Sequence, residues 1–88
     1  MLVMLSRNRV KDYAAWRRIF DANAGAARAA GLELMHLWRD TEDPNNVFFV
    51  LKVADVRGAK AFIGAPEAAE TGTAAGVLDG EYHFLTSE

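Results

Sequence analysis

The stretch "LELMHLWRDTEDPNNVFFVLKV", residues 32–53, holds two runs of strand-like composition around a turn. In the first run Leu32, Leu34, His36 and Trp38 alternate with Glu33, Met35, Leu37 and Arg39, the period of two that a strand imposes. The second run, "VFFVLKV" at 47–53, is apolar on both faces. Between them Pro44 and the asparagines of "DTEDPNN" supply turn chemistry. An antiparallel hairpin follows. A run as apolar as 47–53 is unsuited to an edge and is expected at the centre of a sheet.

Upstream, "DYAAWRRIFDANAGAARAAG" at 12–31 places Tyr13, Trp16, Phe20, Asn23, Ala27 and Ala30 on one stripe at helical spacing. Asp12 is its N-cap and Gly31 its C′ residue. One helix is expected, with Gly25 inside it at a cost of about 1 kcal/mol relative to alanine. Before it, residues 1–10 suit a strand with Leu2, Met4, Ser6 and Asn8 on one face and Val3, Leu5, Arg7 and Arg9 on the other. Downstream, Asp55 caps a second helix with apolar positions Val56, Ala59, Phe62 and Ile63, ended by Gly64. The segment from Pro66 to about Ala75, stopped by Gly76, reads as a short helix or as a mobile flap over the helical layer. "YHFL" at 82–85 is the last strand, with Tyr82 and Phe84 on one face and Glu81, His83 and Leu85 on the other.

The order strand, helix, strand, strand, helix, strand is the α+β, ferredoxin-like βαββαβ arrangement, expected as a single domain over residues 1–88. Right-handed crossovers put both helices on one face of the four-stranded antiparallel sheet. The other face, with Val, Leu and Phe on it, would be a large apolar patch on a monomer. The expectation is therefore a homodimer packed through the helix-free sheet face. Size points the same way, because a chain of 88 residues has a thin stability margin.

Composition closes several alternatives. There is no cysteine, so disulfides and thiolate ligands are excluded. Two histidines do not make a convincing metal site, and no cofactor is expected. A net charge of -2 with mixed signs argues against nucleic acid as a partner. The apolar start "MLVML" is too short for a signal peptide core, and nothing approaches a membrane span. A cytoplasmic location is the expectation.

The segments "VKDYAAWRRIFD", "AAGLE", "RDTEDPNNVFFVLKVADVRGAKAFIGAPE" and "AGVLDG" resemble the small dimeric α/β-barrel proteins, within them the cyclase and antibiotic-biosynthesis-monooxygenase-like group. The resemblance implies a ligand pocket in each monomer, between the helices and the concave side of the sheet. It implies a small enzyme that cyclises, or oxygenates without a cofactor, an aromatic or polyketide-like carbon acid. The alternative it leaves open is a non-catalytic dimer binding a small apolar ligand. Asn8 stands where such relatives carry a histidine at the end of strand one, and no histidine falls in a segment matching a haem ligand.

Candidate site residues follow from residue type. His36 and His83 titrate near neutral pH and are candidate acid–base groups, with Glu81 placed to orient His83. Tyr13 is a candidate proton donor. Trp16, Trp38 and Phe62 are candidate walls of an aromatic pocket, and Asn23 a candidate holder of a ligand oxygen. Each has a structural alternative: Trp16 as a core anchor, Tyr13 reaching water, Asn23 satisfying a loop, and the histidines at a strand edge or interface. The discriminating feature is whether either histidine points into an enclosed cavity beside a second polar group.

Overall fold

In the computed structural model, which describes Met1–Glu88, the chain runs β1 (Leu2–Val10), α1 (Tyr13–Ala22), α2 (Ala24–Ala29), β2 (Leu32–Arg39), β3 (Asn46–Val53), α3 (Val56–Gly64), α4 (Pro66–Ala74) and β4 (Val77–Thr86). The strands form one antiparallel sheet in the order β2-β3-β1-β4, with the helices on one side. This is the expected ferredoxin-like architecture, and β3 is central as its composition requires.

The caps work as their residue types predict. Asp12 accepts from the Ala15 amide at 2.9 Å, and Asp55 accepts from the Gly58 amide at 2.9 Å. Gly31 and Gly76 take positive φ, 85° and 80°, and turn the chain from α2 into β2 and from α4 into β4. The core lies between sheet and helices. Met4 and Val10 of β1, Val47, Phe49, Leu51 and Val53 of β3, Leu32 of β2, Trp16 of α1 and Ala59 of α3 are all buried there. Burying a side chain such as Phe49 contributes about 1.5–3 kcal/mol.

Three expectations need correction. The single helix over 12–31 is two helices that meet at Asn23. Asn23 and Gly25 are weak helix formers set close together. The break is local, because the Asn23 amide still donates to Ile19 and the Ala27 amide to Asn23, each at 3.0 Å.

The alternation of β2 is also interrupted. Leu32 lies opposite Val53 and Leu37 opposite Phe49, so five steps along β2 match four along β3. Met35 is the extra residue of a bulge. Leu34 and Leu37 therefore share the helix-covered face. His36 and Trp38, which pair with Val50 and Phe48, fall on the helix-free face with Glu33, not with Leu34. The bulge turns an aliphatic side chain inward in place of an imidazole.

The last strand is longer than 82–85. It begins at Val77 because Asp79 and Glu81 pair across the strands with Arg9 and Arg7, at 2.6 and 3.0 Å. The Pro66 segment is the short helix that its sequence suggested, α4.

Candidate functional site

Two cavities open between the helical layer and the sheet. The larger, about 380 Å³, is mostly apolar and is walled by Met4, Leu32, Leu34, Phe49 and Leu51 from the sheet, Phe20 and Ala27 from α1 and α2, and Phe62 and Ile63 from α3. Asn23 lines it at the junction of α1 and α2, and the exposed Asp21, Arg28 and Glu33 mark its mouth. Its volume lies within the range of small-molecule sites, about 300–1,000 Å³. The smaller, about 150 Å³, lies between α1, α4 and the start of the β1–β4 pair, where Asn8, Trp16, Asn23 and Thr71 line it.

An aromatic cluster stands beside these spaces. Trp16 stacks on Phe20 with ring centroids 4.7 Å apart, and both approach Phe49, at 5.8 and 5.2 Å. Trp16 is thus a core anchor and also part of the wall of the smaller cavity.

Away from the mouth, the polar side chains that line the two cavities are neutral. Asn23 makes no capping hydrogen bond with its side chain, which leaves its carboxamide free to meet a ligand. Asn8 projects from the inner face of β1. A Cβ added at Gly80 would come within 2.6 Å of the Arg7 carbonyl oxygen and 2.7 Å of Asn8 Oδ1, so the glycine makes room for both. Ser6 sits between Met4 and Asn8 on the same face and is buried with no hydrogen-bond partner from the chain for its Oγ.

Of the residues singled out by type, Trp16, Asn23 and Phe62 come together around these cavities. Tyr13 stands apart from them. Its hydroxyl accepts from the Arg17 guanidinium at 3.3 Å, and the Arg39 guanidinium lies 3.8 Å over its ring. Trp38 is exposed on the helix-free face and stacks with His36, centroids 5.3 Å apart, so neither walls the cavity of its own chain. His83 is exposed on that face too, with Nε2 3.2 Å from Glu81 Oε2, the orienting contact expected of the pair. His36 lines no cavity, and His83 lines, with Glu81, Arg7 and Phe48, a hollow of about 160 Å³ on the helix-free face, outside the interlayer cavities.

The helix-free face combines apolar side chains with a charged network. Val3, Leu5, Phe48, Val50, Trp38 and Leu85 lie beside Arg7, which donates to Glu81, Asp79 and Asn46. The Arg9 and Arg7 guanidiniums hold the Asp79 carboxyl below its ordinary range, and Arg7 with His83 does the same to Glu81.

Sequence reasoning missed Asn8 as a residue lining the site. The signal was present: it is polar on the parity of β1 that also carries Leu2, Met4 and Val10. No cluster of three or more histidines, cysteines or carboxylates is arranged to hold a metal ion, and no helix is long and apolar enough to cross a membrane.

No family model and no curated protein sequence matches the chain. Solved structures do. SnoaB, a cofactor-independent oxygenase from Streptomyces nogalater solved as a point mutant, superposes with a TM-score of 0.73 at 20% identity over 98% of this chain and 91% of its own. A protein from Bordetella bronchiseptica assigned to the antibiotic biosynthesis monooxygenases gives 0.79 at 14% identity over 99% and 96%. An uncharacterised NIPSNAP domain protein from Burkholderia xenovorans gives 0.67 at 16% identity over 100% and 95%. The chain has the ferredoxin-like fold shared by the antibiotic-biosynthesis-monooxygenase-like proteins.

Proposed function

We propose that the chain works as a homodimer joined through the helix-free sheet face, each subunit holding a flat aromatic phenol or enol in the cavity between its layers. The reaction class is oxygenation by dioxygen without a metal or organic cofactor. The observation that carries this reading is the cavity of about 380 Å³, apolar on its walls and polar at Asn23. The likeness in fold to a cofactor-independent oxygenase supports it.

The chemistry asks little of the protein. Loss of the phenolic proton gives an anion whose charge spreads over the ring. Asn23 donates its amide N–H to the oxygen as that charge develops, and a donor already in place is worth most in a dry cavity. The electron-rich ring then reduces dioxygen. A naphthol and dioxygen give a naphthoquinone and water: one oxygen atom forms the new C–O bond, the other leaves as water with the two hydrogens lost. The phenolic proton passes to solvent water. In this reading Trp16 and Phe62 shape the cavity, Tyr13 ties α1 to β2 through Arg39, and His36, His83 and Trp38 belong to the subunit contact. Cyclisation of a polyketide-like carbon acid shares the first proton loss and uses the same cavity.

One observation favours a second reading, a dimer that binds such a ligand without turning it over: neither histidine reaches the cavity. Oxygen uptake separates the two. With 1-naphthol as probe, catalysis requires dioxygen consumption matched by quinone absorbance, with label from ¹⁸O₂ in the product. Saturable binding with no uptake leaves the binding protein. No binding at all refutes both.

A further inference from the structure

The two cavities share two side chains, Phe20 and Asn23. They also adjoin along β1, where Met4 lines the larger and Asn8 the smaller. We propose that they are the two ends of one ligand site. The ring system fills the larger cavity, and a neutral or delocalised oxygen, that of a phenol, ketone or quinone, sits in the smaller between the carboxamides of Asn8 and Asn23. This rests on the interlayer cavity being the ligand site and adds the ligand's orientation and the oxygen chemistry it must carry.

Two features fix that chemistry. The residues lining the smaller cavity include two carboxamides and the Thr71 hydroxyl but no charged side chain. A carboxylate or phosphate would have to shed its hydration there without a cation to replace it, which disfavours it strongly. A phenol or carbonyl oxygen needs only hydrogen bonds, and carboxamides both donate and accept. The charged residues lie at the mouth of the larger cavity instead, so a ligand enters with its oxygen end first and leaves any ionic group in solvent.

The test uses three probes of one shape on the full-length protein: naphthalene, 2-naphthol and 2-naphthoate, titrated by tryptophan fluorescence near neutral pH. Naphthol is expected to bind about tenfold more tightly than naphthalene, the value of one or two net hydrogen bonds. Naphthoate is expected to gain nothing over naphthalene. Asn8→Ala should abolish the naphthol advantage and leave naphthalene affinity within about twofold. Asn23→Ala, on the opposite wall, provides the same comparison should the β1 variant fail to fold. Naphthoate binding tightest, or a naphthol advantage that survives in each folded variant, overturns the proposed orientation while leaving the cavity as a ligand site. Binding of none of the three probes overturns the cavity reading and this inference with it.

Discussion

The two faces of one sheet have been given opposite tasks, although their strands alternate residue by residue. The inner face carries Met4, Leu32, Phe49 and Leu51 against the helices, with the neutral Ser6 and Asn8 among them and one charge, Arg39, at its end against Tyr13. The outer face carries Phe48, Val50 and Trp38 beside arginines, carboxylates and both histidines. The residue types most often associated with acid–base chemistry are on the side away from the helices, where His83 and Glu81 line a separate hollow of about 160 Å³ with Arg7 and Phe48. The side with the interlayer cavities offers carboxamides, which hold an oxygen but exchange no proton near neutral pH. This division is the reason the proposed reaction relies on the substrate's own acidity.

The largest effect that would expose the division comes from neighbouring phenylalanines. Phe49→Asp places a charge in the core and is expected to unfold the chain, since removing such a ring alone costs about 3–5 kcal/mol and an unpaired buried charge adds to it. Phe48→Asp lies one residue away on the outer face. It should leave circular dichroism native and, in the proposed dimer, shift the sedimenting species to a monomer. Equal damage from both substitutions would break the comparison.

A second contrast concerns turnover. Asn23→Ala should lower kcat by about 100-fold, the usual loss for one donor to a developing oxyanion. His36→Ala and His83→Ala should leave kcat within about twofold. A histidine variant that is inactive as an intact dimer would return acid–base chemistry to the outer face.

Much of this plan was legible in the chain. Alternation in residues 1–10 placed β1 correctly because both neighbours of β1 pair with it along its length. Asp12 and Asp55 signalled their helices by residue type alone, as did Gly31 and Gly76 at the stops. The bulge at Met35 was not legible. "LELMHLWR" alternates without a glycine or proline to mark an irregularity, and the slip arises only from matching Leu37 to Phe49 across strands. That single slip moved His36 and Trp38 to the other face. Asn23 was conspicuous as a carboxamide on an apolar stripe. Asn8 drew attention only as a missing histidine, since its partner across the cavity lies on a helix that the strand pattern does not reveal.

Smaller effects sharpen the same contrast. Ser6→Ala removes an unpartnered hydroxyl from the inner face and should be neutral or stabilising by up to about 1 kcal/mol in urea unfolding. A loss of that size would show that the hydroxyl has a partner in solution. On the outer face, Asp79 and Glu81 have native pKa values below their unfolded ones. Their stabilisation is complete at neutral pH, starts to fade near the ordinary carboxylate values of about 3.9–4.3, and is lost as pH falls through the lower native values. The fall in Tm between pH 7 and pH 3 should therefore be smaller in Arg7→Gln than in the parent chain, and an equal fall would remove the network from the account.

The most direct measurement is a methyl-resolved NMR titration of the protein with 2-naphthol. A ligand between the layers predicts saturable shifts at Met4, Leu32, Leu51 and Ile63, which surround the larger cavity, with Leu5, Val50 and Leu85 on the opposite face unmoved. Shifts confined to Leu5, Val50 and Leu85 would place the ligand on the helix-free face and contradict it.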